Sequence, residues 1–223
     1  MAQPANTFDS YDAVGIREDL SDIIYDVSPE ETPLFTALAK TKATNVKHEW
    51  QTDSLRSSGA NAHIEGDDTA ATARSATTRL DNQTQIFKDA VIIPDTDEGL
   101  SKAGRAKEMA YQILKIAKEQ KLDIEKALFA NNAKVAGNAT TARELAGLPT
   151  FLISNTLFGA NQGADATGDG SDARTDETST LIAFSQARFD TVMQATWQSG
   201  GKPDTVFLSS FQTNKALGFA GNN

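Results

Sequence analysis

The sequence predicts an α+β chain whose elements are long and slender rather than compactly nested. Three observations carry that expectation. Val46, His48 and Trp50 alternate with Lys47, Glu49 and Gln51, the two-residue period of a half-covered strand. From about Asp97 to Ala130 there is no proline, and Ala103, Ala106, Ala110, Ile113, Ala117, Ile124 and Leu128 recur at helical spacing. "TLIAFSQARFDTVMQATWQSGG", 180–201, reads as an amphipathic helix, with a buried strand expected at 205–208.

Residues 1–15 offer few apolar anchors (Phe8, Tyr11, Val14) and are expected to be extended. "REDLSDIIYDV", 17–27, can form a short helix presenting Leu20, Ile23, Ile24 and Val27. A turn bracketed by Ser28, Pro29 and Pro33 launches a second short helix over 33–39, carrying Leu34, Phe35 and Leu38. The strand over 45–53 follows. Residues 56–78 are small and polar, a long loop or hairpin tip, and "QTQIFKDAVIIPD", 83–95, is the expected return strand. A two-stranded ribbon of this length is marginal by itself and needs a surface to lie on.

A continuous helix over 97–130 would be about 50 Å long at ~1.5 Å per residue, a strut longer than a compact domain of this size is wide. The pairs Lys115–Glu119 and Lys121–Glu125 would add roughly 0.3 kcal/mol each on its polar side. A coiled coil is the alternative, but the heptad breaks near Gln120 and no second long helix is expected. "AGLPTFLISN" reads as a short strand or turn, and 159–180 as a Gly/Asp-rich loop. The helix within 180–201 should turn Phe184, Phe189, Val192, Met193 and Trp197 inward and stop at Gly200 and Gly201. A last short helix should be capped by Ser209 or Ser210. Because the arm and the ribbon cannot bury their own faces, Leu34, Phe35 and Trp50 are expected to pack partly against another subunit.

The 223 residues, 39% hydrophobic and 23% charged, suffice for one large or two small domains. Net charge is −9, and residues 1–40 alone hold eight acids against Arg17 and Lys40. No basic stripe is present of the kind that neutralises phosphates in a sequence-specific duplex binder. No apolar run approaches the ~20 residues that span a bilayer, and the start lacks the features of a signal peptide. There is no cysteine, which excludes disulfides, thiolate metal sites and a cysteine nucleophile. A cytoplasmic origin fits best, although the lack of cysteine is also compatible with export.

The histidine–carboxylate sets, His48-Glu49 and His63-x-Glu65, lie on a strand and a loop without the fixed spacing of a metal centre. "GDGSDA" lacks the strand and helix that a dinucleotide fingerprint requires. "DATGDGSDARTD" places Asp165, Asp169, Gly170 and Asp176 at calcium-loop positions, but Thr167 stands third, an Asp stands twelfth, and flanking helices are missing. No catalytic, cofactor-binding or metal residues are expected, and the chain does not read as an enzyme.

"TFDSYDAVGIREDLSDIIYDVSPEETPLFTALAKTKATNVKHEWQTDSL" closely resembles the N-terminus of a family of tailed-bacteriophage major head (capsid) proteins. The likeness continues through "HIEGDD", "TRLDNQTQIFKDAVIIPDTDEGLSKAGRAKEMAYQILKIAKEQKLDIEKALF" and "GNATTARELAGL", and resumes at "GGKPDTVFLSSFQTNKALGFAGN". The resemblance implies the Hong-Kong-97-type capsid fold, with an N-terminal arm over 1–44 and an extended hairpin loop over 45–96. A peripheral domain over 97–180 would hold the spine helix and a peripheral loop, and 181–223 would begin an axial domain that relatives complete with further strands. It implies self-assembly into pentamers and hexamers of a closed head shell, with Leu20, Ile23 and Ile24 of the arm joining Leu34, Phe35 and Trp50 as candidate subunit-interface residues. The implied partners are other copies of the chain, portal and scaffolding or decoration proteins, and packaged double-stranded DNA held non-specifically, with no membrane. The implied location is the virion, after assembly in the bacterial cytoplasm. A non-viral compartment shell of the same fold is the alternative.

Overall fold

The structure, a computed structural model, describes residues 23–24, 26, 28–29, 31–68, 71–157, 165–175 and 182–219. The expected extended start, most of the 17–27 helix including Leu20, and much of 159–180 including Asp176 lie outside the described residues. The elements run α1 (Pro33–Ala37), β1 (Lys47–Thr52), β2 (Thr78–Gln83), α2 (Asp95–Glu98), α3 (Glu108–Phe129), a 3-10 turn (Leu148–Phe151), α4 (Gln186–Gln198) and α5 (Ser210–Leu217). Two compact units are present, one of residues 1–31 and 89–120, the other of residues 32–88 and 121–223.

In the first unit, Pro94 fixes an extended backbone ahead of α2, and Asp95, Asp97 and Glu98 place negative charge where the helix dipole favours it. The expected continuous helix does not form. Gly99 closes α2, Gly104 adopts φ 75°, and Lys102 bridges to Arg105 across a tight turn. Helix α3, of which 108–120 belong to this unit and 121–129 to the second, therefore starts at Glu108 and has 22 residues, about 33 Å of rod at 1.5 Å per residue. Its first amides are capped from a distance. The Glu98 carboxylate accepts from the N–H groups of Glu108 and Met109, both at 3.1 Å. The expected apolar seam is not inward here, because Ala110, Ile113 and Ala117 are exposed while Glu108, Tyr111 and Gln112 occupy the covered side.

In the second unit, β1 and β2 pair antiparallel, with Trp50 opposite Leu80 and His48 opposite Asn82. The return strand is thus 78–83, not the more apolar 83–95, and Ile86 and Ile92 of the latter are exposed. Side chains outside the sheet explain this placement. Asn82 donates to Ala146 O (3.1 Å) and accepts from Ala146 N–H (2.8 Å), imitating one rung of a sheet. The Lys134 ammonium pairs with the Asp81 carboxylate at 3.0 Å and donates to the Asp169 carbonyl at 2.8 Å. Leu34, Ala146 and Ala166 are buried, as is Thr150, which donates to Gly147 O at 2.8 Å. Position 147 admits only glycine, since a Cβ there would lie 1.8 Å from Ala130 O.

Helix α4 ends as expected near Gly200, and Phe184 and Phe189 gather with Phe219 at ring distances of 5.3 to 6.4 Å. Trp197 does not turn inward and is 71% exposed. The expected strand at 205–208 is absent, because no neighbouring strand among the described residues meets it; Val206 and Phe207 are exposed, with Phe207 edge-on to Phe129 at 5.8 Å. Ser209 caps α5 in a reciprocal capping box with Gln212.

Candidate functional site

Among the described residues, no group of three or more His, Cys, Asp or Glu side chains converges as a metal site would require. His63 is exposed beside Asn61 (3.1 Å) and Asp67 (3.6 Å). His48 lies next to Trp50, ring centroids 6.1 Å apart. In the Asp-rich loop the carboxylates serve the loop itself. Ser171 and Thr167 hold the Asp169 carboxyl down to about 2, and Thr167 lowers that of Asp172.

The chain presents surfaces instead. At the hairpin base Trp50 packs against Phe151 at 5.6 Å, beside an open cleft of about 790 Å³ lined by His48, Leu80, Leu128, Leu145 and Phe151. Trp50 is only half-buried there. Helix α1, five residues long, cannot hold itself together, and Thr32 provides no side-chain cap. The cap comes from α3. Glu125 accepts from Leu34 N–H at 3.0 Å and from Phe35 N–H at 2.7 Å, and seats the helix so that Leu34 is 6% exposed. Phe35 stays half-buried, with the Lys40 ammonium 4.5 Å over its ring.

The six residues expected at a subunit interface therefore differ in position. Leu34 finds its cover inside its own chain, and Phe35 and Trp50 are partly covered by it. Ile23 and Ile24 are 61% and 41% exposed, and Leu20 lies outside the described residues. Sequence reasoning missed the exposed pair Ile113 (54%) and Leu114 (68%) on α3, because helical periodicity marks an apolar stripe without saying what covers it. It also missed Glu125 and Asn82, which act 91 and 64 residues away in sequence.

Glu108 is the covered charge of the first unit. Gln112, Arg105 and Lys102 donate to it, with Gln112 at 2.7 Å and Lys102 at 3.1 Å, and hold its carboxyl down to about 2. Its partners balance it within the chain, so the site serves structure.

Comparison with known proteins gives two findings. The family model described as SU10 major capsid protein matches residues 3–223. The major capsid protein of Escherichia phage Phieco32 is 36% identical over 135 residues, which are 60% of this chain. The chain spans 38% of the length of that relative.

Proposed function

This chain belongs to the SU10 major capsid protein family, and from that premise we propose that it is a structural, non-enzymatic subunit of a phage head shell. The observation that carries the reading is uncovered apolar surface. The exposed side chains include Ile113, Leu114, Leu152, Ile153, Trp197 and Phe211. Large apolar side chains left uncovered in this number mark faces that other molecules cover.

The proposed cover is further copies of the chain. Repeated heterologous contacts close into rings of five and six and then into a shell, each subunit both making and receiving every contact. In the Hong-Kong-97-type arrangement we infer, 1–44 is the arm, 45–96 the extended loop, 97–180 the peripheral domain with α3 as its spine, and 181–223 the start of the axial domain. Leu20, Ile23 and Ile24 on the arm, with the exposed parts of Phe35 and Trp50, are assigned to the contacts. Portal, scaffolding or decoration proteins and packaged DNA are the inferred partners, and the virion, assembled in the host cytoplasm, is the inferred location. A net charge of −9 suits a wall that holds DNA without adhering to it. Sedimentation with electron microscopy of the expressed protein tests the reading: closed particles support it, and a stable monomer at all concentrations rejects it.

A further inference from the structure

The segment joining α2 to α3 is held as a loop, although its residues carry the pattern of a helix. Leu100, Ala103, Ala106, Ala110, Ile113 and Ala117 follow at three- and four-residue steps, with no proline between them. Ala103, Ala106, Lys102, Arg105 and Lys107 are good helix formers, and the dissenters are Gly99, already in helical backbone geometry at φ −79°, and Gly104. In the structure Gly104 sits at φ 75°, Lys102 bridges to Arg105, and Glu98 caps Glu108 and Met109.

These contacts have replacements in a helix. The N–H groups of Glu108 and Met109 would donate to the carbonyls of Gly104 and Arg105, four residues back. Glu98, released from capping, would stand four residues before Lys102, the favourable order for an acid–base pair. The Arg105–Glu108 and Gln112–Glu108 contacts already have helical spacing and survive unchanged. The change gives up the Lys102 contacts to Asp97 and Glu108, whose five- and six-residue separations do not meet on a helix, and gains backbone hydrogen bonds and the Glu98–Lys102 pair in exchange.

We propose that residues 99–107 are a two-state connector, a loop in the isolated chain that converts to a helical continuation of α3. The conversion lengthens the helix by about 13 Å and joins Leu100, Ala103 and Ala106 to the exposed stripe of Ala110, Ile113 and Ala117. A second copy packed along the completed stripe selects the helical state, because only that state offers it the whole face. This coupling rests on the shell reading; the two states themselves do not.

Backbone amide exchange on the full chain tests the connector. Gly104→Ala removes the residue suited to positive φ and supplies the best helix former, a bias of roughly thirtyfold toward helix. Amides 104–107 are expected to exchange at least about tenfold more slowly in Gly104→Ala than in wild type, with a gain in far-UV helicity. The double variant Gly104→Ala/Ala106→Pro, which removes an N–H and clashes one turn back, should return them to fast exchange. Unchanged exchange in Gly104→Ala, or slowing that survives the proline, overturns the connector. In assembled particles the wild-type segment should be protected; particles with the segment as fast as in the free chain overturn the coupling. Absence of particles rejects the shell reading and leaves the free-chain result standing.

Discussion

Replacing Glu125 with alanine removes the side-chain cap that α1 has among the described residues. Two backbone donors lose a charged acceptor, Leu34 N–H at 3.0 Å and Phe35 N–H at 2.7 Å. Hydrogen bonds to a charged group contribute about 1.5–3 kcal/mol each, and an anion at a helix N-terminus adds about 0.3–1 kcal/mol. The two bonds share one carboxylate at a half-buried site, so they do not add fully; a loss of about 2–4 kcal/mol is expected. A five-residue helix has no cooperativity to absorb that loss. The expected outcome is local release of α1, exposing Leu34, rather than unfolding of the whole unit. Native-state hydrogen exchange reads this directly: the amides at 34–38 should exchange about 30-fold or more faster, while those of β1 and β2 hardly change. Glu125→Gln keeps an acceptor without the charge and should cost about half as much. If Glu125→Ala leaves the amides of Leu34 and Phe35 as slow as before, the distant cap is not what holds α1.

Three further outcomes follow from the same contacts. Asn82→Ala removes both bonds to Ala146 and should cost about 2 kcal/mol. It should also loosen the Trp50–Phe151 contact and red-shift emission, a change assignable to Trp50 because Trp197, the other of the 2 tryptophans, is 71% exposed already. Gly147→Ala would put its Cβ 1.8 Å from Ala130 O and should cost at least about 3 kcal/mol, read as a collapse in soluble yield; normal yield would mean the backbone can move aside. The Glu108 carboxyl is lowered from 4.5 to about 2 by Gln112, Arg105 and Lys102. Its stabilisation is therefore complete above pH 4.5 and lost as the pH falls through 2. Acid titration of helicity should show a step in that window that Glu108→Gln removes.

Local signals in the sequence located what local physics decides. Pro33 starts α1, alternation around Trp50 marks β1, and Ser209 with Gln212 caps α5. What escaped was decided by partners far along the chain. "TRLDNQ" has little strand character, yet it forms β2 because Asn82 and Asp81 are anchored to Ala146 and Lys134. The apolar run after it, with Ile86 and Ile92, looks more like a strand and is exposed. Helical periodicity continued through 99–107, where Gly104 and the bridge between Lys102 and Arg105 turn the chain instead. For the candidate surface, periodicity identified the stripe through Ala110, Ile113 and Ala117 without saying what covers it. Pattern shows which side chains need cover, and the folded chain shows that these lack it.

Accessibility of Ile113 tests the central claim, that other copies of the chain cover these apolar faces. The protein has no cysteine, so Ile113→Cys introduces a single thiol at a position 54% exposed in the isolated chain. Its rate of maleimide labelling can be compared between free subunits and sedimented particles, with Ser57→Cys in the exposed hairpin loop run alongside to report how labelling changes elsewhere. The shell account predicts rapid labelling of Cys-substituted position 113 in free subunits and at least about tenfold slower labelling in particles. Equal rates in both states would contradict it.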